Sequence, residues 1–199
     1  MPPERHAYGP HRSQYAELFR PPSAAPAAGF PVAVVVHGGF WKAPYGCALT
    51  HDVCTDLAGR GWAAWNLEYR RLGRVDGGGW PATFADVAEG IDALAGVEGL
   101  DLRRVVAIGH SAGGHLAVWA ATREAPRVPL TAVVAQAGVV DLRMASERSL
   151  SDGVVHRLLG GTPDEVPDRY AAASPAERLP AGLPLLLTHG GETPTCRPR

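Results

Sequence analysis

From residue 30 onward the chain alternates short, unbroken apolar runs with stretches whose apolar residues recur every three or four positions. "FPVAVVVHGG" (30–39) is β-branched and continuous, the pattern of a strand covered on both faces. "LTHDVCTDLAGRG" (49–61) sets Leu49, Val53, Cys54 and Leu57 at helical spacing and ends in glycine, which predicts a helix. "WAAWNLEYR" (62–70) predicts a strand, and "PATFADVAEGIDALA" (81–95) a helix opened by proline. "RRVVAIGH" (103–110) predicts a strand that runs directly into a helix over 111–123. "LTAVVAQAGV" (130–139) and "LPLLLTHG" (183–190) predict two further strands, with 141–180 between them as short helical pieces broken by "GGTP", "EVP" and "SPAERLP". Alternating strands and helices require right-handed crossovers. The expected fold class is therefore α/β, with a mostly parallel, doubly wound sheet.

Residues 1–29 follow another pattern, rich in Pro, Ala and polar residues, and read as an N-terminal arm. Within it "SQYAELFR" alternates well enough for one edge strand. Residues 30–190 read as the domain proper, and 199 residues are enough for one real core. Composition is ordinary for a globular protein, with 46% hydrophobic and 20% charged residues. A net charge of -1 provides no field for nucleic acid or an anionic membrane surface. No apolar run reaches the ~20 residues of a membrane span, and the first residues are too polar for a signal-peptide core. Cys47, Cys54 and Cys196 form neither a CxxC pair nor an even framework. With no signal segment read, a reduced, cytoplasmic compartment is the default expectation. No His/Cys/Asp/Glu set has ligand spacing, and "RVDGGGWP" matches no nucleotide-binding pattern. Neither a metal nor a cofactor is expected. Composition is silent on oligomeric state.

The chemistry concentrates in "GHSAG" (109–113). A nucleophilic serine needs its hydroxyl clear of the backbone, and a sharp strand-to-helix turn between glycines achieves this. The plainer alternative is a glycine-rich turn with a capping serine. "VVVHGGFWK" (34–42) places His37, Gly38 and Gly39 where an earlier buried strand ends. Glycines there let backbone N–H groups approach a tetrahedral intermediate. Both stretches end strands, and ligands bind at that edge of an open parallel sheet.

On "HGGFW", "NLEYR" (66–70), "WPATFADV" (80–87) and "GHSAGGHLA" (109–117) the chain resembles the α/β-hydrolases. Within them it resembles serine esterases of the hormone-sensitive-lipase and kynurenine-formamidase-like type, over about residues 30–190. The resemblance implies Ser111 as nucleophile and an oxyanion hole from the N–H groups of Ala112, Gly39 and Phe40, with Gly38 allowing the turn. Phe40 stands where the family often carries a third glycine. Phe40, Trp41, Tyr45 and Trp80 either wall an apolar substrate pocket or serve plain packing. The implied substrate is a small carboxylic ester. The alternatives are an arylformamidase-like amide hydrolase and a non-catalytic remnant.

Such a serine needs a histidine held by a carboxylate, in the order Ser, acid, His. "LPLLLTHG" resembles the family's seventh strand, and the expected fold lacks the eighth strand and final helix. His6 and His11 lie in the arm, His37 and His110 in the two turns, and His51 and His115 in helices. His189 resembles a structural "HG", which leaves His156 as the one histidine on a segment able to fold over the site. Asp141 is either the acid or a helix-start cap. Residues 191–199 read as an atypical tail. With GC-rich codons, a shifted frame through "ETPTCRPR" reads "DTDVPAA", close to the family's acidic continuation, so a frameshifted, truncated hydrolase is expected.

Overall fold

A computed structural model describes residues 2–191. Seven strands form one sheet in the order β1-β2-β4-β3-β5-β6-β7. They are β1 Glu4–Ala7, β2 Tyr15–Phe19, β3 Phe30–Val36, β4 Ala63–Leu67, β5 Leu100–His110, β6 Ala132–Gln136 and β7 Leu185–Thr188. The pairings β4–β3–β5–β6–β7 are parallel, while β1–β2 and β2–β4 are antiparallel. The sheet is thus α/β and mostly parallel, as its pattern predicts.

The arm departs from expectation. It contributes two strands, and "SQYAELFR" supplies an inner strand, with β1 as the edge. Ala16 and Leu18 of β2 are buried in the main core while the alternate residues are half-buried, the pattern of an antiparallel strand with one face on the core, and β1 and β4 pair along its two edges.

Among the described residues six α-helices accompany the strands: α1 His51–Gly59, α2 Ala82–Asp92, α3 Ala112–Ala121, α4 Leu142–Glu147, α5 Leu150–Leu159 and α6 Pro167–Ala173. The first enters through a 3-10 turn, Cys47–Thr50. In α5 the right-handed helix begins only after Ser151, Asp152 and Gly153, which are left-handed. All seven residues of β3 are buried, and their alternation divides them between two layers. Val32, Val34 and Val36 join the main core with Trp65, Val87, Ile91 and Leu116, while Val35 meets Cys54, Ala64, Phe19 and Leu57 on the face that α1 covers. Helices therefore lie on both faces of the central strands. At the far end, Leu186 and Leu187 of β7 are 57% and 48% exposed. Successive strand residues point to opposite faces, so both faces of β7 are open. The tail 192–199, including Cys196 and the expected shifted frame, lies outside the described residues.

Candidate active site

Ser111 is the single residue between β5 and α3, and its backbone sits at φ 54°, ψ -118°. A non-glycine residue in such a region is strained, which surrounding structure must hold in place. The fixed points are close at hand. Ser111 N–H donates to Gln136 O at 2.8 Å, and His115 N–H donates to Ser111 O at 3.1 Å. A Cβ on Gly109 would lie 2.2 Å from Gly113 O, and one on Gly113 would lie 2.0 Å from Val36 O. Only hydrogen fits at either position, so strand and helix pass close enough to expose the serine. Its hydroxyl makes no capping bond, which leaves it free at the strand end.

The "HGG" turn reaches the same point. A Cβ on Gly38 would lie 2.7 Å from His110 O and 3.4 Å from the Ser111 Cβ. Gly39 takes φ 110°, and the next two residues stay left-handed, Phe40 at 53° and Trp41 at 55°. The third glycine common in the family would hold this conformation without strain. The N–H groups of Gly39, Phe40 and Ala112 donate to no acceptor among the described residues, and Ala112 opens α3, where helix N–H groups are unpaired.

One buried polar network holds the turn and a second lies close to it in sequence, and the sequence assigned no role to Glu68, Tyr69, Asp86, Arg70 or Gln14. His37 Nε2 lies 3.1 Å from Glu68 Oε1, and its Nδ1 lies 2.8 Å from Gly38 O. Tyr69 stacks flat on the His37 ring and donates its hydroxyl to His37 O at 2.8 Å. Burial pushes the Glu68 carboxyl up, but the His37 hydrogen bond and Arg71 outweigh it and leave the group below its ordinary range. Beside this, the fully buried Asp86 accepts from Arg70 Nε and Nη2 at 2.8 and 2.6 Å, from Arg70 N–H at 2.9 Å, and from Gln14 Nε2 at 2.8 Å. Charged residues inside the otherwise apolar "NLEYR" and "WPATFADV" were the available signal.

Two cavities meet at Ser111. One, of about 450 Å³, is lined by Phe40, Val139, Val140, Met144 and Leu150 among others. The other, of about 570 Å³, is lined by Gly38, Gly39, Phe40, Tyr45, Leu49 and Val53 among others. Phe40 and Tyr45 are therefore wall residues, but Trp41 and Trp80 are not. Trp41 is turned into the core, edge-on to His115 at 5.2 Å, because its left-handed backbone directs the side chain inward. Trp80 packs against Phe84 at 5.0 Å. Their expected pocket role is corrected to packing.

All eight histidines lie among the described residues, and none hydrogen-bonds the Ser111 hydroxyl. His156 Nε2 is engaged at 2.6 Å by Ser146 Oγ, which joins α4 to α5 instead of covering the site. Asp141 accepts from Met144 N–H at 2.9 Å as the cap of α4, and it also borders the first cavity. His189 lies on that cavity's wall, with no described carboxylate paired to it. The reading that no ligand set is clustered needs correction too. Folding brings one atom each of Glu17, Cys47 and His51 within 4.8 Å of one another. Burial pushes the Cys47 thiol up to about 12, so it is no reactive thiolate.

His115 sits fully buried behind the elbow, and its Nε2 pairs with Ala173 O at 3.0 Å. Burial lowers its pKa from 6.5 to about 4, against the opposing effect of that hydrogen bond. The unfolded chain thus binds a proton that the folded chain refuses. Stability from this group is complete above pH 6.5 and is lost as pH falls toward 4, by roughly 3 kcal/mol in all. A His115→Gln variant, followed by urea unfolding across this window, should show a flatter dependence than the wild type. Parallel curves would contradict the assignment.

A doubly wound, mostly parallel sheet with a strained serine turn after β5, beside its central strand β3, is the α/β-hydrolase fold. Comparison narrows the class: residues 17–198 match the family model described as BD-FAE, and the chain belongs to the BD-FAE family. It is 28% identical over 201 residues to the esterase LipC of Mycobacterium tuberculosis, a match covering 92% of this chain and 49% of LipC. The chain spans about half the length of the curated relatives it matches. Among solved structures, the thermophilic esterase Est2 of Thermogutta terrifontis is 26% identical with a TM-score of 0.72, over 96% of this chain and 71% of Est2. Esterase B of Lactobacillus rhamnosis, at 23% identity and a TM-score of 0.77 over 93% of this chain and 63% of its own, shares the fold. Among the described residues no helix is long and apolar enough to cross a membrane.

Proposed function

We propose that the chain carries the nucleophile and oxyanion hole of a serine esterase acting on small carboxylic esters. The observation that carries this is the strained Ser111, its hydroxyl uncapped, beside the unpaired N–H groups of Gly39, Phe40 and Ala112 where two cavities meet. The Ser111 Oγ attacks the ester carbonyl, and the N–H groups receive the charge that develops on its oxygen. The alcohol leaves, and water then frees the acyl group from the serine. Two apolar-walled cavities on either side of Ser111 suit the two halves of an ester. Relatives named as esterases favour this over an amide hydrolase of the arylformamidase kind or a non-catalytic remnant. Acyl transfer through a serine requires no cofactor.

The test is covalent. Prolonged incubation with an activated alkyl phosphonate should add one phosphonyl group, on the peptide that contains Ser111, as read by mass spectrometry. Ser111→Ala should remove the adduct. Labelling at another residue, or undiminished in the variant, would refute the reading.

A further inference from the structure

Behind the oxyanion turn, on the face of the sheet covered by α1, three side chains from distant segments converge. Glu17 comes from β2, Cys47 from the 3-10 turn and His51 from the first residue of α1. His51 Nε2 lies 2.7 Å from Glu17 Oε2, and the Cys47 Sγ lies 3.6 Å from the same oxygen. One donor atom of each falls within 4.8 Å of the others. From this convergence we propose that Glu17, Cys47 and His51 form a three-ligand site for a zinc-like divalent cation, separate from the ester site.

The chemistry of the set is that of zinc. Thiolate sulfur, imidazole nitrogen and carboxylate oxygen are its three common protein ligands, and three of them leave a fourth position for water. Bonds of about 2.0–2.3 Å in a tetrahedron need donor–donor edges of roughly 3.3–3.7 Å. The present separations reach that with small side-chain movements. His51 is 42% exposed on its side chain, so the fourth position opens to solvent and a cation has a way in. A mixed sulfur, nitrogen and oxygen set also disfavours magnesium and calcium, which take oxygen ligands.

The surroundings are built for orientation as well. Buried Asn66 donates through Nδ2 to Glu17 Oε2 at 3.3 Å and to Cys47 O at 2.9 Å, and Thr50 Oγ1 donates to Asn66 Oδ1 at 2.7 Å. Such partners fix ligand geometry in metal sites. Glu68 adds a second carboxylate, accepting from Cys47 N–H at 3.0 Å. Two carboxylates disfavour a thiolate standing alone but favour a dication, which then displaces the thiol proton to water. Because Glu68 also holds His37, a cation here would brace the turn that carries Gly38 and Gly39. Without metal, the Glu17–His51 pair is an ordinary partly exposed hydrogen bond, and that plain reading is the alternative tested.

The experiment uses the 199-residue chain in a Cys196→Ser background, titrated with Co²⁺ as the spectroscopic probe and with Zn²⁺ as competitor. The expected result is one Co²⁺ bound, with a sulfur-to-metal charge-transfer band and tetrahedral d–d absorption, both removed by Zn²⁺. Cys47→Ser should abolish the charge-transfer band, while Cys54→Ser should leave it. Should Cys47→Ser fold poorly, His51→Ala and Glu17→Gln, at more exposed positions, should each weaken binding at least tenfold. Zn²⁺ at a hundredfold excess over its Kd should raise the Tm of the parent chain by about 5–10 °C and that of His51→Ala by much less. An octahedral spectrum without the charge-transfer band overturns the proposal, as does a band that survives Cys47→Ser or a Tm shift equal in all variants.

Discussion

Replacing Ser111 by alanine is expected to abolish every protein-dependent increment in the hydrolysis of a short activated ester. The increment that it abolishes should itself be small. A serine hydrolase without one triad member loses on the order of 10⁴–10⁶ in turnover, and oxyanion donors and binding keep on the order of 10³–10⁴ over water. No imidazole of the eight histidines hydrogen-bonds the Ser111 hydroxyl among the described residues, so the 199-residue chain should work on that lower plateau, far below the ~10 s⁻¹ of a typical enzyme. Imidazole in the buffer distinguishes a missing base from a misassigned nucleophile. It should enter the open cavities and raise the Ser111-dependent rate, leaving the Ser111→Ala background unchanged. His156→Ala and Asp141→Ala should alter the rate little, since one bonds Ser146 and the other caps α4. A turnover near ~10 s⁻¹ without imidazole, or a large loss from either control, would show that a base acts on Ser111 from a place not assigned to it here.

The largest effect on stability should come from Asp86→Ala. This carboxylate has no exposure and accepts four hydrogen bonds, three of them from Arg70 and one from Gln14. Removing it strands a guanidinium, an amide and a backbone N–H in a place with little water. Breaking a buried ion pair from one side costs about 3–5 kcal/mol, because the partner's charge stays behind. For a domain of this size, that lowers Tm by on the order of 10 °C. Urea unfolding should show it as a fall in midpoint with the slope retained. Asp86→Asn keeps the shape and part of the hydrogen bonding, so its loss should be smaller. A cost below ~1 kcal/mol for Asp86→Ala would mean that desolvating the pair had already consumed its attraction.

Local sequence carried much of this protein. An unbroken β-branched run such as Phe30–Val36 has one stable place, inside a sheet covered on both faces, so β3 was legible from composition alone. The elbow was legible because its constraint is also local: Gly109 and Gly113 are needed wherever a strand turns into a helix with a serine between them. The strand ends at His37–Gly39 and Ser111 followed, since parallel order places both at one edge of the sheet.

What local pattern leaves open is the direction and company of each side chain. Trp41 read as a pocket wall, and a left-handed backbone turned it into the core beside His115. His156 read as a segment able to reach the serine, and the packing of α4 on α5 gave it Ser146 instead. The arm read as one edge strand, and pairing made β2 an inner strand, which brought Glu17 beside Cys47 and His51. Residues 17, 47 and 51, like 68 with 37 and 86 with 14, meet only after sheet order and register are decided. Hydrophobic period and turn chemistry act over a few residues and so are written in the chain. Partnerships between charged groups depend on which distant segments the sheet makes neighbours, and only the tertiary structure decided them.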